Sequence, residues 1–312
     1  MHRKGFITLG VALCAIALVA AGCSKKTPAG QPSGSSSAKG TITVGVSGAF
    51  SESKILAEMY AQVLEHAGYT VKRQLDLQSR KVSDAALFAG SIDIKPEYVG
   101  SESLALDPKA AISGDAAHNQ QILSTLEAAK SVTVLNASSA LDTNVFVVTT
   151  TTAGKYGLTN VSDLAKTSGG KTLASTFVFG SPPDCATNAF CEKGLKSTYG
   201  IVFKQVKSLD FGGPATVAAL KSGAVQVGEL FSTAIYDPAF KALVDDKNLE
   251  PADAVIPVIR TAVVNDEIKS LLNAVSAKIT TDGLLALNKK VDIDHEDAAA
   301  VAKTFLQSVG LL

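Results

Sequence analysis

Few residues in this 312-residue chain have the types and spacing that chemistry requires. Cys185 and Cys191 flank the short segment Ala186-Thr187-Asn188-Ala189-Phe190. In an oxidising compartment so close a pair is expected to form a local disulfide. A metal site or redox dithiol would call for Cys-x-x-Cys spacing and a nearby His, and the segment has neither. The run Asp292-Ile293-Asp294-His295-Glu296-Asp297 gathers carboxylates and an imidazole, the donor set of a metal site. It stands where a helix begins, however, and acids there complement the helix dipole, so capping is preferred, with Asp294 as the cap and Asp297 three residues on. The stretch AKTSGGKT imitates a phosphate loop, but Ala165 occupies the position of the first required Gly and a strand, not a helix, follows Lys171. His2, His66, His118 and His295 form no HExxH arrangement, and no Gly-x-Ser-x-Gly elbow occurs. No catalytic constellation remains, so the chain is read as a non-enzyme with no metal and no cofactor.

The elements that would carry a site alternate between strand and helix. Thr41 to Val46 is a β-branched run, and after a turn the apolar residues Ile55, Leu56, Met59, Tyr60, Val63 and Leu64 fall on one face of a helix. Ser51 is the expected N-cap and Gly68 the terminator. A strand is expected over Val71 to Leu77, a helix over Val82 to Phe88, and another strand from Ile92 to Tyr98. The middle of the chain repeats the theme: a strand at Asn144 to Thr149, helices near Val161 to Ala165 and Cys191 to Tyr199, a strand at Val202 to Val206, a helix at Ala215 to Lys221 and a strand at Val225 to Leu230. A last strand, Ala254 to Arg260, precedes three helices. This order predicts an α/β fold of two lobes, residues 41–141 plus 251–312 and residues 142–250, joined by segments crossing near Leu141 and Pro251, with a ligand cleft between them.

Composition agrees. Lys plus Arg number 29 against 29 Asp plus Glu, with 46% hydrophobic and 6% aromatic residues, so the chain is neither disordered nor a polybasic nucleic-acid binder. Its length favours two lobes over one core. His2-Arg3-Lys4 followed by the apolar run Gly5 to Ala21 reads as an export signal over residues 1–22. The alternative, a membrane span, has about 17 residues, the bottom of the spanning range. Ala20-Ala21-Gly22-Cys23 resembles a bacterial lipobox, which makes Cys23 the expected lipid attachment point, and residues 23–40 read as a flexible tether rich in Ser, Gly, Pro and Lys. Such a tether spans roughly 20 to 25 Å as a random coil. The expected location is extracytoplasmic, anchored by lipid to the bacterial cell membrane.

Further motifs follow in order: Phe50-Ser51-Glu52-Ser53 leading to Glu58-Met59-Tyr60, Ser79-Arg80, Ala85-Ala86-Leu87 to Gly90, and Pro96-Glu97-Tyr98-x-Gly100. Beyond them come Pro182-Pro183-Asp184-Cys185, Phe231-Ser232-Thr233, Asp245-Asp246 and Pro257-Val258-Ile259-Arg260. On these motifs the chain, from about Thr41 to Leu312, resembles the substrate-binding proteins of ABC importers for glycine betaine, choline, carnitine and related osmoprotectants. The resemblance implies a type II periplasmic-binding fold that closes on its ligand and presents it to a permease whose ATPase is a separate subunit. It also implies a monomer with a small-molecule ligand and no nucleic-acid partner. In that family aromatic rings hold a quaternary ammonium head by cation–π attraction. Tyr98 matches one ring position, and Phe231 matches another, changed from Tyr. Asn144 stands where some members place an aromatic, Asn188 where an Arg often grips the ligand's carboxylate, and Gly48 where a Lys can appear.

Two rings give at most about 4 kcal/mol, against about 8 for micromolar affinity. Without the charged grip, a different or more polar ligand is expected, with Asp142, Asn144, Asn188, Ser47 and Ser101 supplying hydrogen bonds. Plainer readings stand beside these. Tyr98 could simply cover a sheet end, Asp142 and Asn144 are ordinary turn residues, and Glu97 could be solvated as readily as ligand-facing. For the whole chain, an anchored hydrolase using the cleft or a scaffolding lipoprotein with a vestigial pocket are the alternatives.

Overall fold

A computed structural model describes residues 39–48, 50–186 and 188–312. The export signal over 1–22, the lipid site at Cys23 and nearly all of the tether over 23–40 lie outside the described residues. The chain opens with strand β1 (Thr41–Ser47), helix α1 (Ser51–His66), β2 (Thr70–Leu77), α2 (Arg80–Ala89), β3 (Ile94–Tyr98), α3 (Val99–Leu106), α4 (Ala116–Ala128) and β4 (Val132–Val134). It crosses to β5 (Asn144–Thr149), α5 (Thr150–Tyr156), the two-residue strands β6 (Thr167–Ser168) and β7 (Lys171–Thr172), and β8 (Val178–Ser181). The single turn α6 (Glu192–Gly194), β9 (Gln205–Ser208), α7 (Pro214–Lys221), β10 (Val227–Phe231) and β11 (Phe240–Ala242) complete that half. The chain then returns through β12 (Val255–Arg260) to α8 (Asp266–Ser276), α9 (Thr281–Asp292) and α10 (Ala298–Ser308).

Two mixed five-stranded sheets result, ordered β2-β1-β3-β12-β4 and β11-β5-β10-β8-β9. In the first, β1 runs parallel to β2 and β3 while β12 is antiparallel to β3 and β4. In the second, β10 is parallel to β8 and antiparallel to β5. The return strand β12 therefore belongs to the first sheet although all of the second sheet's strands, β5 to β11, precede it in sequence, and that return is what makes the chain cross twice. The crossings touch each other: Leu141 bridges Ala254, Asp142 N–H donates to the Asp253 carbonyl at 3.0 Å, and the Thr143 hydroxyl donates to the Pro251 carbonyl at 2.9 Å.

Each sheet is covered on both faces, as strands with near-continuous apolar runs require. The predicted face of α1 packs with α8, α9 and α10 on one side of the first sheet, and Leu87, Val99 and Leu123 from α2, α3 and α4 cover the other. In the second half, Phe146, Phe177, Phe179 and the Cys185–Cys191 disulfide form one cluster, and Leu220 of α7 with Val147 and Leu230 forms the other.

Several local expectations need correction. Phe50, not Ser51, is the cap residue of α1, and Ser51 lies inside the helix with its hydroxyl donating to Asp292 at 2.5 Å. The last helix is capped by Asp297, whose carboxylate accepts from Ala300 N–H at 2.9 Å, while Asp294 stays outside it. The acidic run ends one helix at Asp292 and caps the next at Asp297, with four residues between. The segment expected as one helix from Cys191 to Tyr199 is a single α-turn followed by a wider π-turn over Leu195–Tyr199. Val161–Ala165 is a 3₁₀ turn. The phosphate-loop look-alike is a tight hairpin joining β6 and β7 through Gly169 and Gly170, with φ of +62° and +78°, values that favour glycine at both turn positions.

Candidate ligand-binding site

A cavity of about 740 Å³ lies between the two halves, within the size range of small-molecule sites. Strand ends deliver most of its wall. Ser47 ends β1, Tyr98 ends β3 and starts α3, and Asn144 and Phe231 face each other as a register pair of β5 and β10. Ser101 comes from the first turn of α3, Asp142 from the outgoing crossing and Asn188 from the disulfide loop. All seven residues line this one cavity.

Their polar groups are less free than hydrogen-bonding to a ligand would need. The Ser101 hydroxyl donates to Asp253, whose carboxylate also accepts from Gly100 N–H at 2.7 Å and so caps α3. The Thr233 hydroxyl donates to Asp142 at 2.7 Å. Asn188 turns its side-chain oxygen to Phe190 N–H at 2.9 Å, which fixes the loop around Phe190. The Tyr98 hydroxyl donates to Glu52 at 2.7 Å, which fixes the ring by its rim while the residue lines the cavity. Asn288 of α9 donates to Glu52 at 2.5 Å and to the Thr233 carbonyl at 3.2 Å, tying the two halves together behind that ring.

Sequence reasoning missed half of the rings. Phe50 and Phe190 share the cavity with Tyr98 and Phe231. Phe50 meets Phe231 edge to face, with centroids 5.8 Å apart, and remains half exposed at 53%. The sequence signal was an aromatic placed just ahead of a helix, and another inside a cysteine loop too short to bury it. The loop reaches the cavity because the disulfide closes it and because a side chain at Gly194 would run into the Ala189 carbonyl.

The wall is acidic. Asp142, Glu250, Asp253 and Glu97 all line it. Burial, then the neighbouring Glu52 charge, raises the Asp142 pKa well above the carboxylate range; burial, then Glu229 and Asp245, does the same for Glu250. Burial also raises Asp253 and Glu52. The Asn144 side chain is the one polar group that offsets this rise at Glu250, without closing to ordinary hydrogen-bond geometry among the described residues. Behind it, burial and the Asp184 charge push Glu229 up to about 7. Glu229 Oε2 sits 3.0 Å from Cys191 Sγ. A disulfide sulfur carries no hydrogen, so this contact is a hydrogen bond only when Glu229 keeps its proton and donates.

Glu97 is neither solvated nor free, correcting the open expectation. It is 5% exposed, accepts from Lys95 Nζ at 2.9 Å and lies 3.2 Å from Arg80 Nε. Burial alone would raise its pKa, but Lys95 and Arg80 outweigh burial and bring it down to about 2. Lys95, fully buried on β3, also reaches Asp84 and Glu102. Asp84, Glu97 and Glu102 are close enough together to suggest a metal site, but the Lys95 ammonium already occupies their centre. The other metal-like trio, Cys185, Cys191 and Glu229, has both sulfurs in the disulfide.

Two mixed sheets meeting across a cavity walled by rings and acids are an architecture suited to enclosing a small solute. The chain belongs to the substrate-binding domain family of the ABC-type glycine betaine transport system, whose profile matches residues 40–308. It is similar to the glycine-betaine-binding protein of Pseudomonas aeruginosa, 28% identical over 84% of this chain and 86% of that one. It is also 28% identical to the carnitine transport binding protein OpuCC of Listeria monocytogenes, over 98% of this chain and 97% of that one. A crystal structure described as a glycine betaine/carnitine/choline ABC transporter superposes with a TM-score of 0.76 at 27% identity, covering 87% of this chain and 98% of the other. The family consists of extracytoplasmic binding components of ABC importers, not enzymes, which removes the hydrolase alternative. No helix among the described residues is long and apolar enough to cross a membrane.

Proposed function

We propose that this protein captures a small quaternary-ammonium osmolyte in the cavity between lobes 41–141 plus 251–312 and 142–250, closes by hinge motion, and delivers the ligand to an ABC permease. A lipid on Cys23 and the tether behind it keep the protein near that permease, outside the cytoplasm. The observation that carries the reading is the set of four rings, Phe50, Tyr98, Phe190 and Phe231, sharing a cavity with Asp142 and Glu250. A quaternary ammonium has no N–H to donate and offers only diffuse charge, so ring faces and nearby carboxylates are its natural surroundings. Four rings at about 0.5 to 2 kcal/mol each give at most about 8 kcal/mol, so that only at the upper bound do they match micromolar binding, with the neighbouring carboxylates adding to them.

The names of the relatives, a glycine-betaine-binding and a carnitine-binding protein, agree with that ligand class. The ring count also weakens the case for a ligand of a different kind that the sequence alone suggested. Isothermal calorimetry of the full chain against glycine betaine, carnitine, choline and an uncharged tert-butyl isostere tests the reading. Micromolar binding of at least one ammonium compound and none of the isostere supports it; no binding of any ammonium compound overturns it. Labelling with a fatty acid that disappears in Cys23→Ser tests the anchor separately.

A further inference from the structure

We infer that α9 is a clasp between the two halves: Asn288 and Asp292 hold Thr233 and Tyr236 of the second half in the arrangement that brings Tyr98 and Phe231 to a shared cavity, and so set the share of molecules ready to bind any ligand. The inference goes beyond the proposed function, because none of Asn288, Asp292 and Tyr236 lines the cavity. They are positioning residues, which act on a ligand through the rings.

The helix is rooted in the first half, where its Leu284 and Leu287 join Ile55, Met59 and Leu64 of α1 in one core cluster. Thr281, Asn288 and Asp292 fall on one face of it, and that face runs along the junction of the halves. At its start Thr281 Oγ1 accepts from Leu141 N–H of the outgoing crossing at 3.0 Å. Two turns on, Asn288 Nδ2 donates to the Thr233 carbonyl at 3.2 Å. One turn further, Asp292 Oδ2 accepts from the Tyr236 hydroxyl at 2.6 Å. At about 1.5 Å per residue this last tie stands roughly 16 Å along the helix from the crossing. Thr233 and Tyr236 belong to the second half: they follow β10 directly, and their neighbour Ile235 packs with Val147 and Leu230.

Each tie is also joined to a ring. Asn288 donates to Glu52, which accepts from the Tyr98 hydroxyl. The other oxygen of Asp292 accepts from Ser51 at 2.5 Å, and the preceding Phe50 meets Phe231 of the second half. Thr233 stands two residues past Phe231, with its hydroxyl on Asp142. If the halves rotate apart about the crossings, the ties break and the rings part with them. A protein whose competent arrangement is populated only in part binds every ligand more weakly by that fraction. Losing the Tyr236–Asp292 tie, which is one hydrogen bond, should therefore weaken all ligands by one common factor of about 2 to 10.

Pulsed electron resonance between spin labels on the full chain, introduced by Lys72→Cys on exposed β2 and Lys204→Cys beside β9, reads the arrangement without any ligand. Tyr236→Phe, which keeps the ring and loses the hydroxyl, and Asp292→Ala should each add a population at a second distance to the single one of wild type; Asp292→Asn, which still accepts a hydrogen bond, should not. In calorimetry with glycine betaine and with choline, Tyr236→Phe should lose the same 2- to 10-fold for both ligands. Adding Tyr236→Phe to Asp292→Ala should cost nothing further, as expected of two partners in one bond. Distances unchanged from wild type in both single variants, a loss confined to one ligand, or a double variant whose losses add overturns the clasp and leaves the proposed function standing. Wild type that binds neither ligand overturns the proposed function, and the distances, read without ligand, still decide the clasp.

Discussion

Glu229→Gln should make the empty protein more stable at pH 8 and change the sign of its advantage in acid. Glu229 lies at 3% exposure on β10, with its pKa pushed up to about 7 from an ordinary 4.5 by burial and by Asp184. The folded state therefore binds this proton more tightly than the unfolded chain does. Below about pH 4.5 both states carry it and the protonated acid contributes fully; as pH rises through 7 the folded state must give the proton up and that contribution is lost. The interval corresponds to about 3 kcal/mol at about 1.4 per pH unit. Glutamine keeps the shape and never becomes charged, so at pH 8 the variant avoids most of that loss. At roughly 2 °C per kcal/mol for a chain of this size, melting should rise by about 5 °C at pH 8. Near pH 4.5 the variant should match wild type or fall below it, because the acid's O–H towards Cys191 Sγ is gone. Urea titrations from pH 4.5 to 8 on both proteins read the two slopes. Parallel curves would refute the assignment of the proton to Glu229.

Other substitutions probe the cavity and its support. Phe190→Ala and Phe50→Ala should each weaken an ammonium ligand by about 0.5 to 2 kcal/mol in calorimetry, with no change in either variant speaking against their place in the ligand's surroundings. Replacing both Cys185 and Cys191 by Ser opens a loop of about 7 residues and should cost about 2 to 3 kcal/mol of stability in denaturant titration; affinity should fall as well, since the loop carries Asn188 and Phe190 into the cavity. Lys95→Met leaves three carboxylates around a neutral side chain and should destabilise by about 3 to 5 kcal/mol, least at low pH where those acids take up protons. Asp142, Glu250 and Asp253 have raised pKa values in the empty cavity, and an arriving cation favours their charged forms, so binding should release protons and tighten as pH rises. Calorimetric heats that are identical in phosphate and Tris buffers would show that no proton leaves.

The fold was legible because its signals are periodic and local. The apolar face of α1, the β-branched β1 and β12 and the order of strand and helix lead to two α/β sheets, and the double crossing at Leu141 and Pro251 appears where the chain contacts itself again. The helices α3 and α4 escaped notice: α3 is short and follows Tyr98 without a break, and α4 carries few apolar residues and is capped by Asp115. Cap positions shifted by one residue at α1, where extended Phe50 stands at the cap without a side-chain bond, and by three at α10, where Asp297 and not Asp294 accepts from the first turn.

The cavity was legible where a family motif marks it, at Tyr98 and Phe231, and at polar positions beside strand ends. It was not legible at Phe50, Phe190, Arg80 and Glu250, which approach from four separate stretches of chain. No spacing rule links residues that meet only after two sheets have formed. Nor does a sequence show that the Ser101 and Thr233 hydroxyls serve Asp253 and Asp142, which withdraws hydrogen bonds a list of polar residues would have assigned to a ligand.

A crystal structure of the full chain grown with glycine betaine tests the central claim most directly. The trimethylammonium group is expected among the faces of Tyr98, Phe231, Phe50 and Phe190, within about 6 Å of the ring centroids, with the two lobes drawn together over it. Ligand density outside this cavity, or an ammonium head in contact with none of these rings, would contradict it.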